Sequence, residues 1–336
     1  MRKSMRLSAW VLVVVLGGAS AVASARIMVL GGNPPGSLWY AQSQALATVV
    51  SKHSDLKVDV LPQGSTVFFP MFATKEVDMG LANPTDAKFA MEAKWPFEGV
   101  NNGKGYDMRA IMLGAPNRLS LVTTADSDIK TLKDLRGKRV VANYGAFTGA
   151  TITAQSVLAN AGLTNDDIEV VNVSSYPEGV RAVIEGRADA AVGSLGSGIV
   201  QELDASRGAR FIEIDRSPEA MKRTNVPGPA FVPMLVKKGP PGLKEDTWML
   251  AYATTVVARP DLDEKTIMTF IDTVWKHYKE LAPIHRSLVN WTPDRFASTE
   301  AIIPYHPAAV KYYKQKGVWT EELEKHQAEL LKRYAN

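Results

Sequence analysis

Residues 27–37 read IMVLGGNPPGS and residues 139–149 read RVVANYGAFTG. Each is a short apolar run ending in a glycine-containing turn. A helix-like stretch follows each turn, Ser37 to about Ser51 in the first case and Ala150 to Ala161, closed by Gly162, in the second. Short apolar runs bounded by Gly and Pro predict buried strands, and the longer periodic stretches predict helices. The order then repeats. Strands are expected at Val58 to Leu61 and Val77 to Leu81, with Pro62-Gln63-Gly64-Ser65-Thr66 between them opening a helix. Their counterparts are Glu169 to Val173 and Ala188 to Val192, with Ser174-Ser175-Tyr176-Pro177 opening the helix between. Gly32 to Gly145 and Val60 to Val173 are both 113 residues apart, and Asp78 to Asp189 is 111. Strand–helix alternation predicts parallel sheets with right-handed crossovers. The constant offset predicts that the pattern builds two similar lobes.

Two β-rich stretches lie outside the repeat, Met108 to Thr124, interrupted by Pro116, and Thr247 to Ala258, reached after Phe231 to Val236. These are the natural crossings between lobes. The tail reads as helices at Glu264 to Leu281, Pro307 to Lys316 and Glu321 to Tyr334. The expected organisation is an α/β protein with a discontinuous lobe I (26–118 and 248–336) and a lobe II (119–247). Two lobes joined by two extended strands form a hinge architecture.

Residues 1–25 read as a cleavable export signal. Arg2, Lys3 and Arg6 precede the apolar run Leu7 to Leu16, and Ala23-Ser24-Ala25 ends the segment. The run is well short of the ~20 residues needed to span a bilayer. Removing those three cations takes the formal charge from +4 to about +1, so charge does not point to nucleic acid or an anionic membrane. The chain has 336 residues, 46% of them hydrophobic, and no cysteine, which excludes a disulfide framework, a thiol nucleophile and a thiolate metal site. An exported chain without cysteine fits the bacterial periplasm.

In doubly wound sheets, ligands bind outside the carboxyl ends of the strands. Here those ends carry four helix-opening turns: Gly31 to Ser37, Gln63 to Thr66, Tyr144 to Thr151, and Ser174 to Pro177. Helix N-termini offer unpaired N–H groups and a positive dipole end, which suits a small anion such as a carboxylate. Singly, each Ser or Thr could serve only as a cap; together, the four turns favour binding. Arg118, beside Pro116 and Asn117, reads as a bidentate carboxylate clamp, as a solvated surface arginine or as a structural ion pair. A clamp would make Arg118→Ala lower affinity at least about tenfold. Trp39 and Tyr40 could wall a ligand or pack on the sheet, and Asn83 could bind an amide or carboxylate or form a turn with Pro84. Nucleotide-binding glycine motifs and the G-x-S-x-G elbow are absent, and the five histidines show no metal spacing. Asp78 and Asp189, at equivalent strand starts, read as structural.

Several segments resemble the TAXI-type substrate-binding proteins of TRAP transporters. They include the Gly31-Gly32 turn leading to Tyr40, Gln63-Gly64-Ser65, Lys75 to Asp78 with Gly186 to Asp189, Asp107 to Ile111, and residues 125–140, ADSDIKTLKDLRGKRV. The most specific is Tyr305 to Gly317, similar to the family's HPGAxxYYxExG, with Ala308 in place of its Gly. The resemblance implies a type II periplasmic-binding-protein fold that closes on an organic acid or amino acid and delivers it to a sodium-coupled TRAP permease. With the enzyme and metal motifs missing, no cofactor, metal or catalysis is expected, and a monomer is expected. The residues expected to bind ligand are Tyr40, Gly64, Ser65 and Thr148, followed by Asn83, Arg118, Tyr144 and Thr151. Where the family usually has Pro-Gly-Ser-Gly-Thr, this chain has Tyr144 to Gly149; a hydroxyl is lost and an aromatic gained, which points to a bulkier or more apolar ligand. A receptor for an ABC importer shares the fold and is the alternative. A periplasmic enzyme using the same cleft lacks any acid/base or nucleophile constellation.

Overall fold

A computed structural model of the chain describes residues 27–335; the expected export signal lies outside the described residues. The chain opens with β1 (Ile27–Gly32), α1 (Leu38–His53), β2 (Lys57–Pro62), α2 (Ser65–Ala73), β3 (Met79–Ala82) and α3 (Pro84–Met91). The long strand β4 (Arg109–Thr124) leads to β5 (Arg139–Asn143), α4 (Thr148–Asn160), β6 (Glu169–Asn172), α5 (Tyr176–Ile184), β7 (Ala191–Ser194) and α6 (Gly198–Arg207). Then come β8 (Ala209–Phe211), α7 (Pro218–Thr224), β9 (Val232–Val236) and a second long strand, β10 (Thr247–Ala258). The tail holds α8 (Glu264–His277), α9 (Leu281–Ile284), α10 (Pro293–Phe296), α11 (Pro307–Gln315) and α12 (Glu321–Arg333).

The parallel pairing expected from the repeat is present in β2–β1–β3 and in β5–β6. The sheets are not two separate parallel ones, however. A mixed eight-stranded sheet, ordered β2-β1-β3-β10-β4-β7 with β8 on β4 and β9 on β10, runs through both halves. The cause is the length of β4 and β10. They pair antiparallel from Ala258↔Arg109 to Leu250↔Leu119, so β10 meets β3 at one end and β9 at the other. β4 in turn takes β7 and β8 along its C-terminal part. Pro116 stays inside this central strand because the register slips between Ala253 and Thr255, opposite it. A bulge is where a strand tolerates a residue with no N–H to give.

The helix expected to follow Pro62-Gln63-Gly64 packs closely on its strands. Phe68 of α2 lies flat over two neighbouring strands, where a Cβ on Gly31 or Gly80 would come within 2.7 or 2.5 Å of its ring. Only glycine permits that approach, and Phe68 is fully buried as a result. The third strand of each half starts later than the sequence predicts, at Met79 and Ala191, because the preceding carboxylate turns back on the first strand. Asp78 Oδ2 accepts from the Val29 N–H at 3.1 Å, and Asp189 Oδ2 accepts from the Arg139 N–H at 2.8 Å. Each also holds an arginine, Arg259 for Asp78 and Arg139 for Asp189. The repeat thus preserves a structural device. The tail lies against the first half: Ala110 exchanges backbone hydrogen bonds with Pro304 and His306, each at 2.8 Å, and the Tyr313 hydroxyl donates to the Ile111 carbonyl. No described helix is long and apolar enough to cross a membrane.

Candidate functional site

The four helix-opening turns meet at one cavity of about 50 Å³ between the halves. Ser37 and Trp39 reach it from the head of α1, Ser65 from α2, Phe147 and Gly149 from α4, and Tyr176 from α5. Its floor is the bulged crossing of the long strands, where Asn117 of β4, Tyr252 of β10 and Ser194 of β7 lie side by side. These floor groups satisfy one another. Asn117 Nδ2 donates to the Tyr252 hydroxyl at 3.0 Å, and the Ser194 hydroxyl donates to Asn117 Oδ1 at 2.6 Å. The Tyr176 hydroxyl accepts from the Ser194 N–H at 2.7 Å. Burial pushes the Tyr176 phenol up to about 12 and that of Tyr252 higher still, so both remain neutral donors.

Asp86, in the first turn of α3, is the carboxylate among the described residues of this wall and is 1% exposed. The hydroxyl of Ser65 donates to one carboxylate oxygen. That of Thr148, from the other half, donates to the second at 2.6 Å. Burial raises the Asp86 carboxyl to about 6 even though hydrogen bonds from the two hydroxyls act in the opposite direction. Among the described residues it has no lysine, arginine or histidine within ion-pair distance.

The expected site residues divide into three groups. Ser65 and Thr148 meet on Asp86, and Gly64 lies directly against the opposing loop: a Cβ there would sit 2.9 Å from the Ala146 carbonyl oxygen and from the Phe147 ring. The Thr66 hydroxyl donates to the same carbonyl at 2.6 Å. Asn83 caps α3, accepting from the Thr85 N–H at 2.9 Å, and its side chain faces Gly149 across the cleft. Tyr144 and Thr151 are internal to the second half: the Tyr144 hydroxyl accepts from the Val192 N–H at 2.7 Å, and Thr151 Oγ1 accepts from the Tyr144 N–H at 3.0 Å. Of the eight expected residues Ser65 lines the cavity; Gly64, Asn83 and Thr148 adjoin lining residues without being among them, and neither Tyr40 nor Arg118 lines it. Strand alternation explains Arg118, since its neighbours Asn117 and Leu119 both face the cavity and it points to the other face. At the head of α1 it is Trp39, packed edge-on against Tyr252 at 6.4 Å, that walls the space.

Sequence reasoning missed Asp86, Tyr252 and Ser194. The Asp86 signal was ordinary: Asn83-Pro84-Thr85-Asp86 is a cap, a Pro at the first turn and an acid near the N-terminus. Among the described residues one cluster could in principle take a metal, His53, His277 and Glu280, far from the cleft in the chain's helical tail packing. Its two rings stack at 3.7 Å, and both aim at Glu280, which Lys52 also holds at 2.8 Å. That carboxylate is already neutralised.

The fold is that of periplasmic binding proteins. Similar solved structures include the binding component of an ABC phosphonate transporter from Pseudomonas aeruginosa, 15% identical over 92% of this chain and 98% of that one, with a TM-score of 0.52. A Prochlorococcus marinus protein in complex with methylphosphonate is 15% identical over 89% and 98%, with a TM-score of 0.52. A protein of glutathione import from Streptococcus mutans is 16% identical over 80% and 98%, with a TM-score of 0.50. The narrower resemblance to TAXI-type proteins is not what the family comparison returns: the model that matches, over residues 30–317, is that of the NMT1-like family, to which this chain belongs.

Proposed function

We propose that the protein is the solute-binding component of an ABC-type importer, working as a monomer in the periplasm after loss of residues 1–25. The observation that carries this reading is the convergence of Ser65 and Thr148, from helices of opposite halves, on one buried group in a cavity lined by all four turns. A site divided between two halves is made whole only when they close, so binding and closure are coupled. The halves are taken as 26–118 with 248–336, and 119–247, the chain passing between them along β4 and β10.

The ligand-binding set in this reading is Gly64, Ser65, Asn83 and Thr148 from the expected residues, joined by Trp39, Asp86, Asn117 and Tyr252. A solute with a carboxylate or another acidic group would be met by helix N–H groups rather than by Arg118. An ABC partner is favoured over a TRAP permease because the similar structures from Pseudomonas and Streptococcus are named as parts of ABC import systems. Among the described residues lining the cavity no histidine, lysine or second carboxylate stands beside Asp86 and the serines, and the reading is binding without turnover.

A thermal-shift screen of organic acids and amino acids, followed by small-angle scattering, tests it. A true ligand near 100 Kd adds about 2.7 kcal/mol of stability and compacts the protein. Failure to compact, or recovery of a chemically altered ligand, overturns the reading. Reconstituted uptake driven by ATP, and not by a sodium gradient, separates the two kinds of permease.

A further inference from the structure

We propose that the solute held in this cleft carries a protonated amine that pairs with Asp86. The inference rests on the solute-binding reading above and names the class of solute. Among the described residues Asp86 is the only carboxylate lining the cavity, no lysine, arginine or histidine lines it, and nothing cationic reaches Asp86. Ser65 and Thr148 give its two oxygens one hydrogen bond each. A carboxylate has about four acceptor positions, so sites remain for further donors. A buried charge without a partner is unfavourable, and an ammonium group supplies both the missing charge and the missing donors. A purely anionic solute would instead meet a like charge with no lysine or arginine in the lining to offset it.

The walls agree with that sign. The rings of Trp39, Phe147, Tyr176 and Tyr252 line the space, and aromatic faces attract ammonium groups. The Trp39 indole N–H is buried without an acceptor, which leaves a donor for an acidic or carbonyl oxygen elsewhere on the same solute. Together these features describe a zwitterion rather than a bare organic acid.

Calorimetric titration with matched pairs tests the proposal: glutamate against glutarate, alanine against propionate, taurine against ethanesulfonate, and aminoethylphosphonate against ethylphosphonate. At a pH of about 8, the amine member of any bound pair is expected to bind at least about thirtyfold tighter, and Asp86→Asn is expected to erase that preference. Should Asp86→Asn fail to fold, the ratio within each pair on the natural protein decides alone. Equal or tighter binding of the amine-free member overturns the inference and leaves the solute-binding reading intact. If no member of any pair binds, and no compound in a broad solute screen raises the melting temperature, both fall.

Discussion

The Thr148 hydroxyl, at the head of α4, donates at 2.6 Å to the Asp86 carboxylate in the first turn of α3, so one hydrogen bond ties the second half of the molecule to the first. Its acceptor is a carboxylate, and its donor opens a helix whose positive end faces the cleft. In this arrangement the carboxylate of the protein itself occupies the place that the pattern of helix ends would offer to an anion. That is why the electrostatics of the cleft depend on Asp86 more than on the helix dipoles around it.

Asp86 is expected to lower stability at neutral pH. Its carboxyl holds a proton more tightly in the folded protein, at about 6, than in the unfolded chain, near 3.8. Stability from this group is therefore full below the unfolded value and is lost as pH rises through the folded one. The loss is on the order of 3 kcal/mol for a shift of this size. Asp86→Asn stays neutral and keeps an acceptor for a hydroxyl, so without ligand it should equal the natural protein at low pH and exceed it increasingly toward pH of about 8. Urea denaturation across that range checks this; a stability difference that does not change with pH would refute it.

Gly64→Ala is expected to impair closure without unfolding either half. Gly64 has φ −72° and ψ 165°, a conformation open to any residue, so alanine brings no backbone strain. Its Cβ, however, would lie 2.9 Å from the Ala146 carbonyl oxygen and the Phe147 ring on the opposing half. In the two-lobe reading the clash belongs to the closed arrangement, in which Gly64 meets that loop. Ligand affinity should fall about tenfold, or 1.4 kcal/mol, with the melting temperature of the unliganded protein unchanged. Scattering should show a less compact liganded form. A variant that binds normally would show that the cleft need not close this far.

Much of the fold was legible because it rests on local chemistry. Glycine and proline punctuate the strands, Ser37 and Ser175 cap the helices they precede, and the repeat shows as an offset. What was not legible depends on long-range pairing. The mixed eight-stranded sheet, with β5 and β6 left as a separate pair, follows from the register of β4 against β10, which no local pattern encodes. Asp86 acquires its meaning from residues 21 and 62 positions away. Tyr144 sat in the right loop, but its hydroxyl is committed to the Val192 N–H, and a sequence does not show which side of a loop a ring will take.

The paired aspartates give a prediction about the repeat. Asp78 and Arg259 form an ion pair with side chains only 3% and 4% exposed, whereas Asp189 and Arg139 are 28% and 40% exposed. The two play the same geometric role in different dielectric surroundings. Asp78→Asn leaves Asp261 as the one carboxylate beside the buried Arg259 guanidinium among the described residues and should cost on the order of 3 kcal/mol. Asp189→Asn should cost about 1 kcal/mol or less, because water screens that pair. Chemical denaturation of the two variants ranks them, and equal losses would mean that the backbone hydrogen bonds to Val29 and Arg139, not the ion pairs, set the energetics.

Arg118 is where the sequence expectation and the structure give opposite results for one substitution. As a clamp, its loss should weaken carboxylate binding at least about tenfold. In the structure its neighbours Asn117 and Leu119 face the cavity while Arg118 does not, and among the described residues no carboxylate pairs with it. Its Nε is buried without an acceptor, and burial lowers the basicity of the guanidinium. Arg118→Met keeps the length of the side chain and removes the unsatisfied donor. Affinity should stay within about twofold, and stability should hold or rise by about 1 kcal/mol. The two quantities are measured on the same variant, by titration and by denaturation. A tenfold loss of affinity with stability unchanged would return Arg118 to the binding site, and would require the strand to turn that side chain toward the ligand on binding.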